Sequence, residues 1–387
     1  MLFDTQPHQQ DGDFYTRSFQ TEAKEGNLIL NMGPQHPSTH GVLRIIVELE
    51  GEYVRRAEPV LGYIHRMQEK MGEVKTWQQY LPNMGRVDYL HALAWNWGYV
   101  GAVERLIGLE VPERAEFIRV ITCELNRINS HLLWWGAYLL DLGAFTPIMY
   151  AFADREEVMD MLQIVTGSRL TYCYYRIGGV SNDITPEFID QLKRFCTHFK
   201  ARLPLFRDLV TDNMILRYRT EGIGHMSLDV IQRYGATGPV IRGSGEPYDI
   251  RRVEPYSVYD RFDFDIPVFH EADAFARYMV RMHEMEQSVR IIEQALEQLP
   301  DGPVMNPKAP LQLASPPGEA YFAVESARGK VGVYVVSDGG PKPYRVKLRA
   351  PSFSNLHLFA EVSKGVLLSD AVSILGSLDL VIPEIDR

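Results

Sequence analysis

An α+β fold, with a central helix bundle flanked by small N-terminal and C-terminal β elements, is what this sequence predicts. Three observations carry that expectation. Runs of branched residues open the chain, long stretches with apolar residues at three- and four-residue spacing fill its middle, and period-two runs return near its end. With 387 residues, 45% hydrophobic and 23% charged, the chain can bury a large core. A polar tail is expected over residues 1–26, followed by one unit over 27–387: β-rich at 27–62, helical at 63–310, and closed by a β-rich segment at 311–387.

The elements follow in order. Leu28 to Met32 and Val42 to Leu49 read as strands, and Glu50-Gly51 before Tyr53 to Glu58 reads as a hairpin turn. Arg86 to Ile107 reads as a helix closed by Gly108. Pro112 opens a longer one through about Leu140, because the first turn leaves its own amides unpaired and proline lacks only that amide. Phe117, Ile121, Leu125, Ile128, Leu132 and Trp135 give this helix an apolar stripe that other helices must cover. Further helices are expected at Arg155 to Tyr174, Pro186 to Leu203 with Thr185 as N-cap, and Ala272 to Leu299, where Glu286 precedes Arg290 by four. From Leu311 a Pro-rich coil leads to strands at Tyr321 to Val324, Val331 to Val336 and Tyr344 to Arg349, with a turn at Ser337-Asp338-Gly339-Gly340.

Several function classes are disfavoured. A formal charge of −10 with no basic run argues against nucleic acid as a partner. The chain has no apolar run long enough for a membrane helix and no signal-peptide pattern at its start, so the cytoplasm is expected. Cys123, Cys173 and Cys196 fit neither a disulfide framework nor zinc spacing, and no metal site is expected. Gly222-Ile223-Gly224 and Gly243-Ser244-Gly245 lack the strand-then-helix context of a dinucleotide site, and no phosphate loop exists.

Three places could carry chemistry. The segment Gly33-Pro34-Gln35-His36-Pro37-Ser38-Thr39-His40-Gly41 sets two imidazoles in a stiff loop between strands; either could exchange a proton near neutral pH, or both could simply bond backbone groups. Arg86-Val87-Asp88-Tyr89-Leu90-His91 lies among Trp77, Tyr80, Trp95, Trp97 and Tyr99. This density suits a ring ligand, but the aromatics read first as core, with Asp88 as a first-turn charge. Tyr89 stands apart because a phenol can donate to a carbonyl oxygen. Asp141, a lone acid at an apolar helix end, needs a cationic partner or a raised pKa. Glu124, Arg127 and His131 share a helix face and read as an internal ion network without a functional role.

GPQHPSTHG from Gly33, YIHR from Tyr63, RVDYLH from Arg86, CELNRINSHLLW from Cys123, DLGAFTP from Asp141, RIGGV from Arg176, ESARG from Glu325 and YVVSDGGPKPYRVKLRAPSF from Tyr334 together resemble the D subunit of complex I. This is the 49-kilodalton subunit family of the NADH–quinone oxidoreductases, and the resemblance spans about Asn27 to Arg387. It implies kinship with the large subunit of nickel–iron hydrogenases. Where those carry CxxC pairs, this chain has His65 to Gln68 and Asp379 to Ile382, so the thiolates that such metals need are missing. The resemblance implies that Tyr89 and His40 bond the carbonyls of a quinone and that Asp141 pairs with His40. It also implies that His36, Gly41, Val42, Leu43, Arg86, Asp88, Asp379 and Val381 line the pocket.

Arg86 and Thr171 would lie near an iron–sulfur cluster held by the iron–sulfur B subunit, with the C subunit and the membrane H subunit as further partners. No cofactor is expected on the chain itself; ubiquinone or menaquinone would be the substrate. The implied place is the cytoplasmic face of the bacterial inner membrane, peripherally bound, in an enzyme that couples electron transfer from NADH to proton translocation. Feeding by F420H2 or ferredoxin is the alternative. Two departures stand out. Thr171 replaces a histidine common in the family, which implies a flatter pH response of the cluster and a low-potential quinone such as menaquinone. The coil at Pro303 to Pro317 lacks a helical insert.

Overall fold

The computed structural model describes residues 26–35 and 41–387. Strands β1 (Leu28–Met32), β2 (Arg44–Glu50) and β3 (Tyr53–Val60) form an antiparallel sheet in that order, β2 turning into β3 at Gly51, whose φ of 65° suits a residue without a side chain. Ile45, Val47 and Leu49 of β2 enter a core with Leu356, Phe359 and Ile382 from the far end of the chain, while Ile46 packs on Val60. Two short helices follow, α1 (Gln68–Val74) and α2 (Trp77–Met84), the second opened by a capping box of Thr76 and Gln79.

Helix α3 (Ala92–Ile107) begins six residues later than the sequence predicts, while Gly108 closes it as expected, with φ 65°. The physical reason is Asp88. Its Oδ1 accepts the backbone N–H of Leu90 (2.9 Å) and of His91 (3.1 Å), offering the chain a turn in place of a helix. Helix α4 (Glu113–Asp141) runs from Pro112 nearly as predicted and is buried along most of its length. It packs against α5 (Thr146–Thr166), which corrects the expected Arg155–Tyr174 helix. Pro147 opens α5 in its first turn and Gly167, at φ 73°, ends it, so residues 168–174 run irregularly into a small hairpin of β4 (Tyr175–Arg176) and β5 (Gly179–Val180).

Helix α6 (Pro186–Phe206) is capped by the Thr185 hydroxyl, which accepts from Phe188 N–H, and passes through Pro204 into a π-turn at Arg207–Thr211. Four short helices, α7 (Met214–Thr220), α8 (Leu228–Tyr234), α9 (Pro239–Arg242) and α10 (Ile250–Val253), lead to α11 (Ala274–Glu297), which lies along α4. Asp273 caps α11 by accepting from Ala276 N–H, which places its start two residues beyond the predicted Ala272. A second antiparallel sheet, β6 (Gly318–Ser326), β7 (Gly329–Ser337) and β8 (Arg345–Arg349), lies against α3. The approach is close: a side chain on Gly101 would meet the Phe322 ring at 2.5 Å.

The closing segment is only half β. After Arg349 the chain forms α12 (Pro351–Val362), α13 (Leu368–Ser377) and α14 (Ile382–Asp386), which correct the expected β-rich end. Pro351, a first-turn proline, and the spacing of Leu356 and Phe359 are the helix signals within that stretch. The molecule is α+β, as expected.

Candidate active-site cavity

The late start of α3 positions the site. With Asp88 turned inward and fully buried, Tyr89 is carried half-buried into the wall of a cavity of about 460 Å³. The last turns of α4 supply Trp134, Ala137, Leu140 and Asp141; the connection from α13 to α14 supplies Asp379 and Leu380. Tyr89, Asp141 and Asp379 therefore share one largely apolar cavity, from three stretches far apart in sequence.

One guanidinium ties the charged wall together. Arg328, in the turn between β6 and β7, donates to Asp88 Oδ2 (2.9 Å) and Ser130 Oγ (3.0 Å) and approaches Asp379 Oδ1 at 3.4 Å. His91 sets that turn. Its Nδ1 accepts the N–H of Ala327 at 2.9 Å, so its Nε2 bears the hydrogen and donates to the Cys123 carbonyl at 3.1 Å. Burial would lower the pKa of Arg328, but Asp379, Asp88 and Glu384 outweigh it, and its charge is secure. Arg281 of α11 reaches Asp379 Oδ2 from the other side at 3.9 Å and lies over the Trp134 ring at 4.4 Å. Burial pushes Arg281 down to about 10, still cationic at neutral pH. Asp379 itself holds a left-handed φ of 52°. The Tyr89 phenol is pushed up, chiefly by burial, with Asp88 and Asp379 adding and Arg328 opposing, so it stays a neutral donor.

The other sequence candidates fall around this cavity in different ways. His36 and His40 lie outside the described residues; at Gly41, which follows them, a side chain would meet Ile382 at 3.4 Å. Val42 and Leu43 pack in the same core as Leu380 and Ile382, and Val381 is buried with its N–H donated to Ser352 Oγ (3.3 Å). Gly41, Val42 and Leu43 thus lie beside the 379–382 wall. Arg86 is exposed outside the cavity, its Nη1 donating to the Pro82 carbonyl at 2.6 Å. Asp88 stands behind the wall, gripped by Arg328. Thr171, at φ 51°, packs against Gly85, the residue before Arg86: a side chain on Gly85 would meet Tyr172 O at 2.6 Å and the Thr171 carbonyl carbon at 3.2 Å.

Sequence reading missed Arg328, Arg281 and Glu384. ESARG carried a visible signal, a charged pair set beside an apolar β run, but nothing local tells that its arginine meets Asp88 across 240 positions. Glu124, Arg127 and His131 do form an internal ion network. Arg127 and Arg251 both bond Glu124 (3.0 and 3.1 Å), and Glu284 accepts from His131 (2.9 Å) and pairs with Arg242, which also bonds Glu325 at 2.8 Å. Among the described residues no group of three or more His, Cys, Asp or Glu side chains is arranged to hold a metal ion, and no helix is long and apolar enough to cross a membrane.

Compared with known families, residues 141–314 and 311–387 match the family described as respiratory-chain NADH dehydrogenase, 49 Kd subunit. The chain is 60% identical to the NADH-quinone oxidoreductase D subunit of Desulfotalea psychrophila over 92% of its own length and 96% of that relative's. The chain belongs to this family. The second of the numbered D subunits of Opitutus terrae is 58% identical over 94% of this chain and 92% of the relative, and the D subunit of Geobacillus thermodenitrificans 49% over 93% and 98%. As a 49-kilodalton complex I subunit it works as part of an oxidoreductase assembly, beside other members of that complex, and feeding by F420H2 or ferredoxin is not favoured.

Proposed function

We propose that the cavity walled by Tyr89, Asp141 and Asp379 holds the headgroup of a quinone while electrons from NADH reduce it to quinol. The observation that carries this reading is the convergence of a neutral buried phenol and two carboxylates on one apolar space of about 460 Å³, a size suited to a small ring. The electrons would come from an iron–sulfur cluster of the neighbouring B subunit, on the side of Arg86 and Thr171. Tyr89 donates its O–H to one quinone oxygen and stabilises the charge that develops there, a role preorganised donors fill at low cost in a dry site. His40, on the loop ending at Gly41, donates to the other oxygen, and Asp141 favours its cationic form. His36, Gly41, Val42 and Leu43 complete one side; Arg328 holds Asp88 and Asp379 in place on the other.

Loss of the His40–Asp141 pairing on reduction links the cavity to proton translocation in the membrane, with the H subunit nearest and the C subunit alongside. The complex lies on the cytoplasmic face of the bacterial inner membrane, with this chain peripheral. Thr171 cannot titrate near neutral pH, which fits a low-potential quinone such as menaquinone. A photoreactive quinone added to the assembled complex tests the site. Labelling of peptides holding Tyr89, residues 137–141 and Asp379, suppressed by excess quinone, is expected. Labelling confined to the neighbouring apolar cavity at Phe145 and Ile215 would contradict the reading.

A further inference from the structure

Glu384, in the first turn of α14, is fully buried. Its Oε1 accepts the backbone N–H of Ser352 at 2.9 Å and its Oε2 the indole N–H of Trp95 at 3.1 Å. Both donors are neutral, and the ion pairs among the described residues include none to Glu384. The charged groups acting on it are Asp88 before α3, Arg328 between β6 and β7 and Arg349 on β8; Asp379, Tyr89 and Arg281 of α11 stand around Arg328. Arg349 gives its N–H groups to Thr237 and to the carbonyls of Lys330 and Gly235. On α14 itself Asp386 is held by the N–H groups of Gly62 and Ile64, and on α12 His357 and Glu361 are exposed.

Each guanidinium of this cluster is engaged elsewhere. Arg328 holds Asp88 and Asp379, Arg281 reaches Asp379, and Arg349 is turned to Thr237 and two carbonyls, so Glu384 keeps only neutral donors in a dry interior. Of the three carboxyl groups, Glu384 is the one whose protonation breaks no direct ion pair. Burial, with Asp88 adding and Arg328 opposing, pushes its carboxyl up to about 7.

We infer that Glu384 is a proton-holding residue for the quinone cavity, gaining a proton when negative charge arises beside Asp379 and returning it when that charge is neutralised. This rests on the reading of the cavity given above. Reduction of quinone to quinol takes two electrons, from the partner's cluster, and two protons onto the ring oxygens. While the added charge outruns those protons, Glu384 takes one proton from water, and after quinol forms it returns one, so it is not consumed. Glu384 touches no ring atom and acts as a positioning residue, setting the potential at Asp379 and Tyr89.

The test uses the assembled complex, with quinone reductase rates across pH 5 to 9 and redox-difference infrared spectra. The native enzyme is expected to show a titration of kcat near neutral pH and, in time-resolved spectra, a protonated-carboxyl band that rises during quinone reduction and fades once quinol has formed. Glu384→Gln is expected to remove both, with KM for quinone changed less than about threefold. Trp95→Phe, which removes one donor to the carboxylate, moves the titration to higher pH by on the order of one unit and covers the case in which the glutamine variant fails to assemble. An unchanged profile and an unchanged band in both variants overturn the inference. If those two are silent while Tyr89→Phe loses turnover, the cavity reading stands and only the role of Glu384 fails; if Tyr89→Phe is silent as well, the cavity reading fails first.

Discussion

A phenol stabilises charge on a reduced quinone only while it keeps its own proton, and burial of Tyr89 secures that at neutral pH. The grip of Arg328 on Asp88 is what puts Tyr89 there, so Arg328 is worth more than its single charge suggests. Arg328→Met would leave Asp88 buried without a cation and Asp379 with only Arg281 at 3.9 Å. Removing one partner of such a buried group costs about 3–5 kcal/mol, read as a lowered unfolding temperature of the assembled complex; an unmoved transition would show that the carboxyls find other partners. Thr171 offers a second residue-scale prediction. A β-branched residue is rare at its left-handed φ of 51°, whereas histidine is tolerated there, so Thr171→His is expected to assemble. On the proposed placement of a partner's cluster beside residue 171, it should give that cluster a steeper pH dependence of potential than the native complex shows, checked by redox titration from pH 6 to 8; an equally steep slope in the native complex would contradict this. At this scale Tyr89 and Asp141 were legible in the sequence because their chemistry is unusual for their surroundings. Arg328 and Glu384 were not, since their partners are distant in the chain.

Elements were legible where local chemistry and long periodicity agreed. Pro112 with an apolar stripe marks α4, and Thr185 with Pro186 marks α6. Boundaries failed where a side chain competed with the helix, as Asp88 does before α3, or where a proline and a glycine inside an apolar run went unweighed, as Pro147 and Gly167 of α5 did. The helices after Arg349 were hidden by the period-two strands just before them. Close packing of α3 on the second sheet depends on Gly101. Gly101→Ala places a carbon about 2.5 Å from the Phe322 ring, so the ring or the helix must move. A loss of about 1–3 kcal/mol is expected, seen as a lower unfolding temperature with the quinone KM unchanged; a neutral effect would mean that Phe322 swings aside freely.

At the scale of the whole molecule, buried arginines hold Glu124 of α4 and Glu284 of α11 in their charged form. Burial alone would raise Glu124 and Glu284, but Arg127 and Arg251 on the first, and Arg242 on the second, drive both far below the usual carboxylate range. Their folded pKa values are depressed, so the stability they add is fully present above the ordinary value of 4.5 and is lost as pH falls below it. The unfolding temperature should fall on acidification from about pH 5 to 3, and Glu124→Gln should flatten that slope while lowering stability at pH 7. An unchanged slope would count against the network. These same arginines bind α4, α10, α11 and the second sheet into a stiff support behind the cavity, which keeps Tyr89 and Asp141 in register. The central claim is that this cavity reduces quinone through Tyr89. Turnover of the assembled complex carrying Tyr89→Phe tests it most directly: with both short- and long-tailed quinones the rate should fall by about a hundredfold, and near-native rates with both would contradict it.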